Sequence, residues 1–302
     1  MITLHGTFPR LLVLVGFCLV LGGIFALGGL ALSGPLFGVE LENLSALTQD
    51  LSSPESIQIL KLIQLFNTVG LFVLPALLFS LLFIQKPLNW LKVNQSSSAM
   101  NFGLVLLLMF SILPAMNWLV EWNQGIQLPE AFSGLEAWMK GKEAGAMELT
   151  KAFLRMETTN DLWINLILIA LLPALGEELI FRGIVQQTIN KGRQNPHLGI
   201  WVSALLFSAL HMQFYGFFPR MILGAFFGYL LVWGKSLWLP IFAHFINNAT
   251  AVIIAYKLGV EGMEKEFDQI GASESTYLIS LVGILIFSSL LWVFYRRNRF
   301  TE

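Results

Sequence analysis

Charge and cysteine are both scarce in this chain. Of 302 residues, 12% are Asp, Glu, Lys or Arg, about half the share of an ordinary soluble domain. Its one cysteine, Cys18, excludes an intrachain disulfide and has no neighbours that would make a metal site or a reactive thiol, so it reads as packing. Lys and Arg number 18 against 19 Asp and Glu, a net charge of −1, and no basic face exists for nucleic acid. Heptads, low-complexity tracts and internal repeats are also missing.

What is abundant is hydrophobic sequence, at 56%. Apolar stretches approaching the roughly 20 residues that cross a bilayer core recur along the whole chain and leave no separate soluble domain. The fold class expected is all-α, a polytopic transmembrane bundle of about eight helices. The spans fall at roughly 10–32, 58–84, 99–121, 161–187, 198–214, 219–234, 237–256 and 276–295. The first could also be read as a secretory signal, but it exceeds the roughly 7–15 apolar residues of a signal core. The fifth and sixth are short and joined by MQFYGFFP, which suggests a tight or partly re-entrant hairpin.

The loops alternate in charge. One set carries Arg10, Lys86, Lys92, Lys191, Arg193, Lys235, Arg296, Arg297 and Arg299, with Glu302 its only acid. The other carries Glu40, Glu42, Asp50 and Glu55, then the acids from Glu121 through Asp161 mixed with some Lys and Arg, then Glu261, Glu264, Glu266, Asp268 and Glu274. The positive-inside rule puts both termini in the cytoplasm, which requires an even number of spans. Eight satisfies it, and the expected location is a bacterial plasma membrane. Trp90, Trp118, Trp122, Trp163 and Trp238 fall near span ends, as an interfacial belt would have them. The segment 122–160 mixes charges with Leu135, Trp138, Met139, Met147, Phe153 and Leu154, and reads either as an interfacial amphipathic connector or as a cover over a cavity mouth.

Few ionisable groups remain at membrane depth, where each is costly unless it meets a partner or water. The stretch LLPALGEELIFRG, residues 171–183, holds three of them. Glu178 and Arg182 share a helix face at i,i+4, acid first, and can form a structural ion pair. Glu177 points about 100° away, and its i+4 neighbour is Phe181, so it lacks a charge partner on its own helix. That isolation makes it the candidate general base. In FSALH, Phe207 shares a face with His211 and can shield the imidazole, which is either a satisfied packing residue or a catalyst. In HFINN, His244 and Asn248 present hydrogen-bonding groups in one direction with Asn247 close to the same face, either as interhelical glue or as chemistry.

Together, Glu-Glu-x-x-x-Arg at 177–182, Phe-x-x-x-His at 207–211 and His-x-x-x-Asn at 244–248 resemble the CPBP family of intramembrane glutamic endopeptidases. That family includes the CAAX prenyl proteases and bacteriocin-immunity (Abi-like) relatives. The resemblance covers about residues 161–256. It implies three parts: 1–160, with helices one to three and the amphipathic loop; 161–256, the catalytic core; and 257–302, the last loop, helix and basic tail.

The resemblance further implies a catalytic set of Glu177, His211, His244 and Asn248. Glu177 with His211 would activate water, and His244 with Asn248 would donate to the oxyanion, a neutral imidazole being sufficient. Glu178 and Arg182 would be structural and Phe207 supporting. No serine nucleophile is implied, since Ser203 and Ser208 lie in no nucleophile-elbow context.

The expected substrate is a membrane-anchored peptide or protein, prenylated or otherwise lipid-anchored, cut in or near the cytoplasmic half of the bilayer. No cofactor is expected. A zinc site built from Glu177, His211 and His244 is the metal-dependent alternative, although the usual His-Glu-x-x-His helix is missing. Rival readings are a non-catalytic immunity or scaffold protein and a proton-relay transporter.

Overall fold

The computed structural model describes residues 6–40 and 50–299; Glu42 and Glu302 lie outside them. All regular structure among the described residues is helical. Seven helices are long and apolar enough to cross a membrane: α1 Thr7–Phe37, α2 Pro54–Phe83, α3 Ala99–Gln124, α5 Thr159–Asn190, α7 Phe214–Gly234, α8 Trp238–Phe267 and α9 Glu274–Arg299. Between them lie the amphipathic α4 Ser133–Leu154 and the shorter apolar α6 His197–Leu210.

The eight expected spans thus become seven long helices and one short one. With 14 residues, α6 reaches about 21 Å at 1.5 Å per residue, less than the roughly 30 Å of a hydrocarbon core. It turns back through Met212, whose φ of 54° is left-handed, into the three-residue 3₁₀ turn Phe214–Gly216 that opens α7. The pair is a hairpin whose turn meets α4: the Trp138 and Phe214 ring centroids are 5.3 Å apart, and Tyr215 N–H donates to Glu143 Oε2 at 3.2 Å.

Local sequence explains where the long helices begin. Ser53 and Ser98 accept from the backbone of Ser56 and Asn101 at the starts of α2 and α3. At the start of α5, Thr158 and Asp161 form a reciprocal capping box. Once started, an apolar helix satisfies its own backbone, which is the condition for lying in lipid.

Helices α5, α7 and α8 are the most buried of the long ones. Ile180, Phe181, Ile184, Val185 and Ile189 of α5 pack against Ala76 and Phe79 of α2, with Phe207 of α6 in the same core. On the other side, α7 and α8 pack with α3 and α9 through Leu108, Phe227, Leu230, Leu239 and Phe294. The α3–α9 pair is tied by Asn101 Nδ2 donating to Asn298 Oδ1 at 2.9 Å.

Segment 122–160 contains one 22-residue helix, α4, which docks on the bundle. Lys151 pairs with Glu264 at 2.7 Å, and Asn165 Nδ2 donates to the Phe153 carbonyl at 2.6 Å.

Regular 3.6-residue periodicity does not hold along α5. Two wide π-helical stretches, Leu166–Leu171 and Leu179–Gln186, flank the α-helical Leu172–Glu178. Pro173, which opens that short α segment, has no N–H to give the preceding turn. The carbonyl of Ile169, four residues before it, accepts instead from Asn248 Nδ2 of α8 at 3.2 Å.

Candidate active site

Glu178 and Arg182 meet as their spacing suggested, even across the start of a π-helical stretch. Arg182 Nη1 donates to Glu178 Oε1 at 2.8 Å, and neither side chain is exposed. The guanidinium reaches further, donating from Nη2 to the Gly224 carbonyl of α7 at 2.9 Å. A Cβ at residue 224 would stand 3.0 Å from that nitrogen, so glycine permits the approach. One turn on, Gln186 Nε2 repeats the contact on the Gly228 carbonyl at 3.1 Å. The Arg182 guanidinium also lies over the Phe207 ring, 4.6 Å from its centroid.

Glu178 has a second partner. Its Oε1 lies 2.9 Å from His244 Nδ1. A carboxylate already accepting from Arg182 can only accept again, so Nδ1 carries a proton and donates it. Glu178 therefore orients the imidazole as well as pairing with Arg182. With Nδ1 donating, a neutral His244 presents a lone pair at Nε2, and the ring donates from Nε2 only when it holds both protons.

Nε2 of His244 faces Glu177, with Oε2 at 3.8 Å. Glu177 is 9% exposed and His244 5%. The imidazole stacks on Phe227 at 5.4 Å between ring centroids and meets Phe207 edge-on at 5.8 Å. His211, just beyond α6, donates from Nδ1 to its own helix's Phe207 carbonyl at 2.7 Å, because a carbonyl can only accept. Its Nε2 is then the acceptor nitrogen, and its ring stands edge-on to Phe207 at 4.9 Å. Phe207 thus supports three of the charged or titratable side chains at once.

Glu177, His211, His244 and Asn248 all line one cavity of about 610 Å³, together with Phe207. Glu178 and Arg182 do not line it. Asn248 spends one amide N–H on Ile169 and accepts from Asn247 Nδ2 at 3.2 Å, leaving its second amide N–H without a partner among the described residues. The cavity runs to α4, where Leu149, Thr150, Phe153 and Leu154 form a wall. Glu177 itself sits 13 residues from the Asn190 end of α5 and 18 from the Thr159 end, so the carboxylate lies near mid-helix while its chamber extends toward the acidic-loop side.

Residues 159–250 match the family model of the type II CAAX prenyl endopeptidases, Rce1-like. The match begins at the first residue of α5 and ends two residues beyond Asn248, so it holds the whole constellation. A similar curated protein is the uncharacterized protein YpbD of Bacillus subtilis (strain 168), 33% identical over 89 residues, which is 28% of this chain and 42% of that protein. The chain thus matches less than half of that relative's length. No solved structure matches the chain.

Within the Rce1-like segment, sequence reasoning overlooked Arg220, Phe227 and Gln213, all of which stand in the cavity wall. Arg220 was available by the criterion that found Glu177, as an ionisable residue inside an apolar span. Phe227 carried no signal, since one aromatic among many says nothing of which imidazole it stacks on. The residues of the zinc alternative, Glu177, His211 and His244, all line this cavity. Among the described residues no group of three or more His, Cys, Asp or Glu is arranged to hold a metal ion.

Proposed function

We propose that this chain is an intramembrane endopeptidase that hydrolyses a peptide bond of a membrane-anchored substrate, with Glu177 as the base. The observation that carries the reading is the single cavity onto which Glu177, His211, His244 and Asn248 converge while the Glu178–Arg182 pair stays behind it.

In this scheme a water molecule sits between the Glu177 carboxylate and the acceptor Nε2 of His211. Glu177 takes one of its protons as the oxygen attacks the scissile carbonyl carbon. The oxyanion that forms is met by the spare amide N–H of Asn248 and by His244 in its doubly protonated form, held by Glu178. Each such donor typically contributes about 3–4 kcal/mol to the transition state. As the C–N bond breaks, protonated Glu177 returns its proton to the leaving amine. No covalent intermediate is formed.

The anchor of the substrate is a lipid group, prenyl or acyl, consistent with the family match and with a chamber open at membrane depth. In this reading the protein sits in a bacterial plasma membrane with both termini cytoplasmic, an orientation the loop charges support.

The test is cleavage of quenched fluorescent peptides, farnesylated, palmitoylated or unmodified, by detergent-purified protein with and without a zinc chelator. Cleavage of the lipidated peptides that survives chelation supports the glutamate mechanism. Loss on chelation would return the zinc reading, and cleavage of none would favour the immunity or scaffold reading.

A further inference from the structure

Three turns of the chain meet at one end of the bundle. Gln187 Nε2, near the end of α5, donates to the Trp90 carbonyl at 2.6 Å. Leu237 N–H and the Trp238 indole, at the start of α8, donate to the carbonyls of Lys92 and Val93 at 3.2 and 2.8 Å. The turn between α2 and α3 is thereby pinned both to the end of α5 and to the turn between α7 and α8. Each of the three turns carries lysine from the basic set: Lys92, Lys191 and Lys235.

A cavity of about 280 Å³ opens where they meet, and it shares no lining residue with the catalytic chamber. Leu231 and Val232 of α7 form its apolar side, and Trp90, Lys92, Gln186 and Lys191 stand around the rest. The neutral amides there are used to hold the wall together. Gln186 Nε2 donates to the Gly228 carbonyl, Gln187 Nε2 also to the Gly183 carbonyl at 2.9 Å, and Asn190 Nδ2 to the Pro196 carbonyl at 3.1 Å.

The cations have no such use. Among the described residues no carboxylate lies within ion-pair distance of Lys92 or Lys191. Lys191 Nζ lies 5.7 Å from the centroid of the Trp90 ring, a contact with a neutral group. Lys92 is half-buried, and burial together with the nearby charge of Lys235 pushes its ammonium below the ordinary 10.5. Lys92 and Lys235 both stand in the left-handed region, with φ of 55°, where glycine costs less. The Trp90 indole N–H is buried without an acceptor among the described residues. Positive charge is thus gathered around a cavity whose walls do not neutralise it.

An ammonium binds phosphate as a point charge, and two of them flank this space. The surroundings narrow the source. Leu88, two residues before Trp90, and Leu198, two after Pro196, are 60% and 48% exposed. A phospholipid fits both halves of this surface, its phosphate in the cavity and its acyl chains along the leucines. A free phosphate ion uses only the charged half.

We propose that this cavity binds the phosphate group of an anionic membrane lipid, with Lys92 and Lys191 as its two cationic ligands. The site is independent of the endopeptidase reading. Phosphate held there bridges the turn before α3 to the end of α5 and offsets the repulsion between Lys92 and Lys235, so its effect is on binding and stability.

The experiment titrates the detergent-purified full chain with phosphatidylglycerol, with phosphatidylcholine of the same acyl chains, with glycerol 3-phosphate and with inorganic phosphate. Bound lipid is counted by native mass spectrometry and the thermal midpoint is recorded alongside. Phosphatidylglycerol is expected to bind more tightly than phosphatidylcholine and to raise the midpoint. Lys92→Gln and Lys191→Gln should each weaken phosphatidylglycerol binding by about fivefold, as the loss of one lysine at an anionic lipid surface does. Lys92→Arg should retain it. Lys86→Gln, in the same turn but outside the cavity wall, removes the same charge and should leave binding unchanged.

Equal stabilisation by inorganic phosphate or glycerol 3-phosphate would overturn the lipid as the source of the phosphate. Equal binding of the two lipids would overturn the site, since tails alone would then account for it. So would an equal loss in Lys86→Gln, which would trace binding to the diffuse charge of the turns.

Discussion

Helices α1 and α5 are nearly the same length, 31 and 32 residues, and both are long and apolar enough to cross a membrane. Beyond that they differ in almost everything. In α1, 11% of the most apolar stretch is buried and no Asp, Glu, Lys or Arg follows Arg10. In α5 the figure is 44%, and two glutamates and an arginine lie inside. Hydrophobicity alone takes a helix into a bilayer, whereas its place in the bundle is decided by polar groups that must find partners. The α5 charges find theirs on α7 and α8, and beyond Arg10 α1 carries no charged group that needs one.

That contrast predicts a ranking of substitutions. The largest stability effect belongs to Arg182→Ala, which leaves Glu178 buried beside His244 alone; breaking a buried pair in this way costs about 3–5 kcal/mol. Accumulation and the thermal unfolding midpoint in detergent should both fall, and an unchanged midpoint would remove the structural role assigned to the pair.

Asn248→Ala comes next. On the proposed mechanism it lowers kcat by about 100- to 1000-fold through the lost oxyanion donor. It also strips the Ile169 carbonyl of its partner, at about 1 kcal/mol of stability. The two losses can be read separately from single-turnover rates and unfolding.

A smaller effect is expected just beyond α8. Burial, with Glu264 nearby, pushes the Asp268 carboxyl from its ordinary 3.8 up to about 6. The folded chain therefore keeps a proton that the unfolded chain has released. Stability from this group is present at low pH and is lost as pH rises through about 4 to 6. Asp268→Asn should flatten that part of the pH–stability profile and leave α1 and α5 untouched. A profile unchanged by the substitution would contradict the assignment.

Least of all should come from Leu19→Ala in α1, 68% exposed on the outward face. A shift in midpoint beyond about 0.5 kcal/mol equivalent would mean that α1 packs more than its burial indicates.

Much of this was legible in the sequence. The helix count and positions follow from apolar runs and polar breaks because a membrane imposes one length scale on every span. The exception, α6, was ambiguous for the same reason: a largely apolar helix of fourteen residues satisfies the pattern without reaching across. The pairing of Glu178 with Arg182 was readable from spacing, since i,i+4 neighbours meet wherever the helix lies.

What spacing did not give were contacts between helices. The Glu178–His244 bond, the Asn248–Ile169 bond and the stacking of Phe227 all join residues far apart in sequence. The π-helical stretches of α5 were also hidden, because they depend on Pro173 and on what α8 offers in exchange. Arg220 was readable by the same criterion as Glu177, since it too is an ionisable residue in an apolar run.

The central claim is that two adjacent glutamates in one helix divide the work, Glu177 for chemistry and Glu178 for structure and for aiming His244. The most direct test is to make Glu177→Gln and Glu178→Gln and to measure, for each, the thermal midpoint and the rate of cleavage of a lipidated peptide. Glu177→Gln should keep the wild-type midpoint and lose at least about a thousandfold in rate, as removal of a catalytic group does. Glu178→Gln should lower the midpoint and, through the loosened His244, also lower the rate of the folded protein, but by less than Glu177→Gln. Equal midpoints and equal rates in the two variants, or a Glu177→Gln that still cuts, would contradict the division.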